Sequence, residues 1–414
     1  MSGQRVVITG IGAISALGTG ADHNFAQVLG GRSAIGMLEL AGALQRPGVP
    51  AAQITFPLPP VITGAELAQF DRHAVLAWIA ASEALQQAGL SSAMEPSMDS
   101  GVFWGTGMGG ATTVEAGYTD LFIDGKKRVR PMTVVAAMNN AAAAHIALRC
   151  GFGGTVNNYS SACVSSAQAI GEAYRHIHHG YGARVLAGGS EALLSYAVVS
   201  AWEALRVLAP ADGQTGERSC RPFAASRSGL VLGEGAAAVM LESLASAQAR
   251  GATILAELVA YGSSNDATHI TRPDASGQAR AMRMALQQSG LDGAAIGYIN
   301  AHGAGTPAGD LAESQSIRLA FGAATDAIPV SSTKSMHGHT LGAAGALEFV
   351  ITVQALRSGA LPPTAFLDRA DPACDLQHIA GQALHGRTVK AALSNSFAFG
   401  GSNVALIVAQ YEAP

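Results

Sequence analysis

Charge is scarce in this sequence. Asp, Glu, Lys and Arg make up 13% of its 414 residues, about half the usual share. Aromatic residues are also scarce at 6%, so Ala, Val, Leu and Ile must build the core. The four cysteines, Cys150, Cys163, Cys220 and Cys374, show no CxxC spacing, which argues against a disulfide framework or a zinc ribbon and for reduced thiols. Long apolar runs are missing too. The least charged stretch, Pro131 to Leu148, is mostly alanine and contains Asn139, Asn140 and His145, so it reads as a buried helix, not a membrane span. There is no basic excess: the formal net charge is −4, which gives no global field for nucleic acid. The opening MSGQRVVITG enters a strand pattern without the apolar region of a signal peptide, so a cytoplasmic location is expected.

Apolar residues, by contrast, reach 49%, mean hydropathy is +0.25, and glycine occurs 50 times in short clusters. Such a chain has ample material for a buried core, and disorder and collagen are excluded. Arg5 to Gly10 is a β-branched run stopped by glycine, the pattern of a buried strand. Asp71 to Ala88 has helical apolar spacing that ends at Gly89. Further strands are expected at Val102–Trp104, Thr155–Tyr159, Val185–Gly189, Val239–Glu242, Ile254–Ala260, Tyr298–Asn300, Ile328–Ser331, Val389–Leu393 and Val404–Val408. Helices are expected at Cys163–His179, Ala279–Ser289, Leu311–Leu319 and Gly342–Leu356. Alternation of this kind implies mostly parallel sheets covered by helices. Similar strand–turn–helix units around Cys163 and around His302 hint at duplication.

Two glycine patterns suggest nucleotide binding and fail on inspection. Gly10-Ile11-Gly12 follows a strand, but Ser15 stands where a dinucleotide fingerprint needs its third glycine. The cluster Gly105, Gly107, Gly109 and Gly110 lacks the Lys-Ser/Thr of a P-loop. Cys163 is more informative, because it sits between a β-rich run and a helical pattern. A thiol at a helix N-terminus meets the positive end of the dipole and unpaired N–H groups, so a lowered pKa is expected there. The bland alternative, a buried inert cysteine, is equally open on position alone. His302 and His339 each lie between a strand and a helix, with Lys334 close by. In a parallel α/β sheet, elements that end alike place such residues along one rim. No metal site is expected, since single ligands on distant loops give no zinc spacing. His176, His178 and His179 lie at a helix C-terminus, where dipole compensation explains them.

Five motifs in order then resemble a known family: VVITGIGAISALG; SACVSSAQAIGEA; RPFAASRSGLVLGEGAAAVMLE; NAHGAGTPAGDLAES; and KSMHGHTLGAAGALE with the final NSFAFGGSNVA. Together they resemble the β-ketoacyl-[acyl carrier protein] synthases of the type II, elongating kind, ketosynthases of the thiolase superfamily. The resemblance implies a thiolase-like α/β fold, two similar halves forming a five-layered αβαβα sandwich. Residues 1–250 would carry the nucleophile and residues 251–414 the histidines. It also implies an acyltransferase that performs decarboxylative Claisen condensation with malonyl-carrier protein, in fatty acid or polyketide/polyene biosynthesis. No cofactor is implied beyond the phosphopantetheine that carries the substrates. The expected partners are an acyl carrier protein and a second subunit, as a homodimer or a ketosynthase heterodimer.

By the same resemblance Cys163, His302, His339 and Lys334 are catalytic. The N–H groups of Cys163 and Phe399 form an oxyanion hole, with Phe399 as a gate. Lys334 is expected to pair with Glu313 or Asp310, and Glu348 to brace the helix after the histidine loop. Thr306 would contact the pantetheine arm and Met108 the floor of the acyl pocket. Lys126, Lys127, Arg128 and Arg130, with Arg206, are expected to dock the acidic carrier. Three departures from the family pattern, Ala304, Ala398 and Met108, point to a specialised acyl chain. Two rivals are a non-elongating acyltransferase and a chain-length-factor-like partner subunit. The retained Cys163, His302, Lys334 and His339 argue against the second.

Overall fold

The computed structural model describes residues 3–40, 48–90 and 96–413. The first half builds a sheet from β1 (Val6–Ser15), β2 (Ser100–Gly105), β3 (Val156–Tyr159), β4 (Arg184–Glu191) and β5 (Gly235–Ser243). The second half uses β6 (Ala256–Asn265), β7 (Ile296–Asn300), β8 (Pro329–Ser331), β9 (Ala391–Phe397) and β10 (Ser402–Ala409). In space the first sheet runs β3-β2-β4-β5-β1 and the second β8-β7-β9-β10-β6. Each strand of the second sheet thus has its counterpart five places earlier. The pairing sense repeats as well: the first three strands in each order are parallel and the last two junctions antiparallel. Duplication is therefore written in the topology. The sheets join edge to edge where Val6, Val7 and Ile8 pair with Leu258, Glu257 and Ala256.

Helices α1 (Arg72–Gln87) and α2 (Ala141–Cys150) cover the outer face of the first sheet. Helices α4 (Ala275–Ser289) and α5 (Pro307–Phe321) cover that of the second. Between the sheets lie α3 (Ser165–His178) and α6 (Ala344–Ser358), which gives the five layers. The sequence of α6 explains its place. Every residue from Ala344 to Leu356 is buried, as a helix apolar on nearly all sides must be. The two central helices touch at their N-termini, where the Ala346 N–H donates to Ser166 Oγ at 2.9 Å. A Cβ on Gly345 would stand 2.6 Å from the Cβ of Ala167, so only glycine permits this approach.

Three sequence expectations are corrected. The sheets are mixed and not mostly parallel, since two of the four junctions in each half and the joint between the halves run antiparallel. Pro131–Leu148 is not one buried helix. It forms a short helix, Thr133–Ala137, then a break at Met138, whose backbone is extended, and then α2. Asn139 and Asn140 favour such local breaks over helix interior, and Val134, Val135, Met138 and Leu148 are exposed. Nor does the Cys163 unit match the His302 unit. Cys163 follows β3, whose counterpart is β8, so its equivalent lies in the turn Leu341-Gly342-Ala343. His302 follows β7, so its equivalent lies in the glycine-rich turn after β2. No helix among the described residues is long and apolar enough to cross a membrane.

Candidate active site

The sharp turns after β3 and β8 are built alike. Each is a three-residue 3₁₀ turn leading into a central helix, and each begins with a non-glycine residue at positive φ: Ala162 at +50° and Leu341 at +47°. A left-handed alanine or leucine is strained and persists only where its surroundings enforce it. The first turn presents Cys163 at the start of α3. The second begins two residues after His339.

The loop after β7 brings in His302, and its backbone is held by a buried carboxylate. Glu313 of α5 accepts from the His302 N–H at 2.8 Å and the Gly303 N–H at 2.7 Å. Asp310 acts alike on Phe223 and Gly305. Burial pushes Glu313 up to about 7 and Asp310 up to about 6, against these hydrogen bonds. Lys334 is fully buried and pairs with Glu348, equally buried, not with Glu313 or Asp310. Helix α6 carries Glu348 beneath the loop, which is why the nearer-seeming acids of α5 are left to the backbone. Glu348 thus does more than brace a helix. The Lys334 ammonium also donates to the His302 carbonyl at 2.5 Å and faces His302 Nδ1 at 3.5 Å.

These contacts assign the tautomers. A Lys334 donor at Nδ1 of His302 leaves the ring proton on Nε2. For His339, the Leu341 N–H donates to Nδ1 at 3.2 Å, so Nε2 carries the proton there as well. Both rings are neutral, because burial and then Lys334 hold both pKa values well below the ordinary 6.5. Their centroids lie 5.2 Å apart, edge to face. By contrast, both ring nitrogens of His337 are spent, on the Gly338 carbonyl and on Thr333 Oγ1.

One cavity of about 150 Å³ receives all of this: Cys163, His302 and His339 line it together with Thr306, Phe397, Phe399 and Trp202. Thr306 also caps α5, accepting from the Gly309 N–H. Met108 is not among the lining residues. It is 47% exposed, and its N–H is anchored on Glu191 at 3.3 Å. Among the docking candidates, Lys127, Arg128 and Arg130 are exposed, while Lys126 is tied to Asp120 and Asp124. Arg206 is exposed on a separate surface groove, next to the cavity-lining Val207. Sequence reasoning missed Asp266, Asn403 and Trp202, which also line the cavity, and Glu191, which accepts from the N–H groups of Gly107 and Gly342. The rim rule reaches Glu191 and Asp266, acidic residues at or just beyond the ends of β4 and β6. Trp202 carries no local signal.

The expected lowering of the Cys163 pKa is overturned. Burial pushes its thiol up to about 12, with Lys334 opposing. Desolvation of the thiolate here outweighs both the lysine and the short first turn of the helix. Because pH stays below that pKa, the thiolate fraction of the free protein rises about tenfold per pH unit. Alkylation of Cys163 by iodoacetamide, followed by mass spectrometry, is therefore expected to climb from pH 7 to 9 without a plateau. A plateau below pH 8.5 would mean that the helix end and Lys334 prevail.

Residues 3–247 match the family model of the β-ketoacyl synthase N-terminal domain and residues 255–368 that of the C-terminal domain. Nodulation protein E of Rhizobium sp. (strain N33) is 42% identical over 407 residues, covering 98% of this chain and 99% of its own. The 3-oxoacyl-[acyl-carrier-protein] synthase 2 of Staphylococcus aureus (strain COL) is 35% identical over 422 residues, covering 99% of each. Among solved structures, a type II polyketide acyl-carrier protein in complex with its ketosynthase bound to the hexaketide (AntDE–AntF) aligns with TM-score 0.90. It is 30% identical and covers 99% of this chain and 100% of that one.

Proposed function

The chain belongs to the β-ketoacyl synthase family and is a condensing enzyme of the 3-oxoacyl-[acyl carrier protein] synthase type; we propose that Cys163 carries the acyl group and that His302 and His339 stabilise the enolate. The observation that carries this reading is the pair of neutral imidazoles, each with its Nε2 proton free of the backbone, sharing one cavity with the sulfur.

In the first step Cys163 attacks the carbonyl of an acyl thioester, and a tetrahedral oxyanion forms. Its hydrogen-bond donors are the N–H of Cys163, in the first turn before α3, where helical partners are lacking, and that of Phe399. The thiol proton passes to the departing pantetheine sulfur, and acyl-Cys163 remains. Neither histidine has to take that proton, since both hold their own on Nε2. In the second step malonyl-carrier protein loses carbon dioxide. The electron pair moves to the thioester carbonyl oxygen, where the two Nε2–H groups donate; such preorganised donors gain strength in a dry site. In the third step the enolate carbon attacks the acyl carbon and expels the Cys163 thiolate, giving 3-oxoacyl-carrier protein.

Lys334 holds His302 by backbone and ring together, and Glu313 holds its N–H. Thr306, in the lining of the cavity, contacts the pantetheine arm in this reading. The substrates arrive on an acidic acyl carrier protein, which Lys127, Arg128 and Arg130 attract. A second subunit covers β3, the open edge of the first sheet, where unpaired strand groups invite another chain. Exposed Met108, Val134, Val135, Met138 and Val156 supply apolar surface for that contact.

The test is direct. Purified protein given acyl-carrier and malonyl-carrier proteins should yield a 3-oxoacyl product two carbons longer, with a covalent acyl group on Cys163. Acylation without carbon dioxide release would instead support a non-elongating acyltransferase. For docking, charge reversal at Lys127 and Arg128 is expected to raise KM for carrier-bound substrate about 3- to 10-fold with kcat unchanged, and less at high salt. An unchanged KM would remove this surface from the reading.

A further inference from the structure

Trp202 lies on the helix Tyr196–Ala204, partly buried against the apolar cluster that contains Cys163, Leu230 and Leu341. Phe399 lies across it, with ring centroids 6.0 Å apart and planes inclined by 22°. Both rings line the cavity that holds the sulfur. The backbone behind Phe399 is fastened on another side. The Gly400 N–H donates to the Ile270 carbonyl at 2.7 Å, and Asn265 Nδ2 donates to the Gly400 carbonyl at 2.8 Å. Gly400 and Gly401 stand at φ +86° and +75°, and a Cβ on Gly401 would meet that of Asp266 at 2.9 Å. The turn is therefore free to change conformation only by leaving this seat, and its one side chain of any size rests on the indole.

Taking Phe399 as the gate that the family resemblance implies, and so as the lid over Cys163, we propose that Trp202 is its positioning residue: the stack holds the lid over Cys163 in the free enzyme, and occupancy of the sulfur by a chain breaks the stack. The logic is spatial. A cavity of about 150 Å³ has no room for a long chain beside both rings, so a group growing from the sulfur displaces the one on the hinge. Leaving the indole costs what an aromatic pair supplies, and that cost sets how often the sulfur is uncovered.

The experiment uses N-decyl iodoacetamide, an acyl-chain mimic that alkylates Cys163 without any condensation. Trp202→Ala is expected to speed alkylation about 3- to 10-fold, and Trp202→Phe, which keeps a stacking ring, to stay within about twofold of the native rate. Phe399→Ala should also speed it, and adding Trp202→Ala to Phe399→Ala should change nothing more. Effects that multiply in the double variant would overturn the proposal, because then the two rings act separately. A second readout does not depend on the alanine variant folding. The other two tryptophans, Trp78 and Trp104, are buried between the first sheet and its outer helices. Alkylation should therefore shift indole fluorescence in the native protein and leave Trp202→Phe silent. A native protein with no shift, or an equal shift in Trp202→Phe, would also overturn it. Failure of condensation with this coupling intact would sink the catalytic reading and leave the lid assignment standing.

Discussion

Replacing Cys163 with alanine should lower condensation by at least about 10⁴-fold, since the acyl-enzyme cannot form, while decarboxylation of malonyl-carrier protein continues. The expectation follows from how the site is held. His302 is fixed by Lys334 through ring and carbonyl and by Glu313 through its N–H. His339 is fixed by the Leu341 N–H. None of these supports passes through the sulfur, so its removal leaves both Nε2–H donors where an enolate oxygen needs them. Alanine also keeps the small volume that the turn at Ala162 demands. Carbon dioxide release and the mass of the intact protein measure the two halves of the reaction separately. If decarboxylation falls in parallel with condensation, the sulfur takes part in forming the enolate, and the division of labour proposed above is wrong.

The chemistry of this site is local in the chain, and that is why so much of it was legible. Cys163, His302 and His339 each stand between a strand and a helix, and parallel α/β sheets collect such positions at one rim. Alternation pointed to sheets covered by helices, while the thiolase-like arrangement in two halves came from the resemblance of the motifs. What escaped was decided by packing between distant segments. Lys334 is separated from Glu348 by one buried helix turn beyond the loop, while Asp310 and Glu313 belong to another helix whose acids meet backbone N–H groups instead. Nothing in the spacing distinguishes these choices. The pKa of Cys163 failed for a related reason. Position at a helix start is visible in the sequence, but full burial is not, and desolvation is the larger effect. The mistaken match between the Cys163 and His302 units came from comparing turns alone, whereas strand order pairs Cys163 with Gly342.

Lys334→Met is expected to weaken the protein by about 3–5 kcal/mol, because it strands Glu348 in a fully buried site. It should also slow decarboxylation by about 10²–10³-fold, the usual cost of misplacing one oxyanion donor. The two losses have different origins, and a second variant separates them. In Lys334→Met with Glu348→Leu, the buried charges vanish together, and apolar replacement of a buried pair is commonly neutral or stabilising. Denaturant unfolding should therefore recover most of the lost stability. Activity should not recover, since Nδ1 of His302 still lacks the donor that keeps the proton on Nε2, and its carbonyl lacks its anchor. The double variant thus asks whether Lys334 serves the fold or the ring. Should decarboxylation return along with stability, the lysine is only a structural ion-pair partner, and the orientation of His302 has another source.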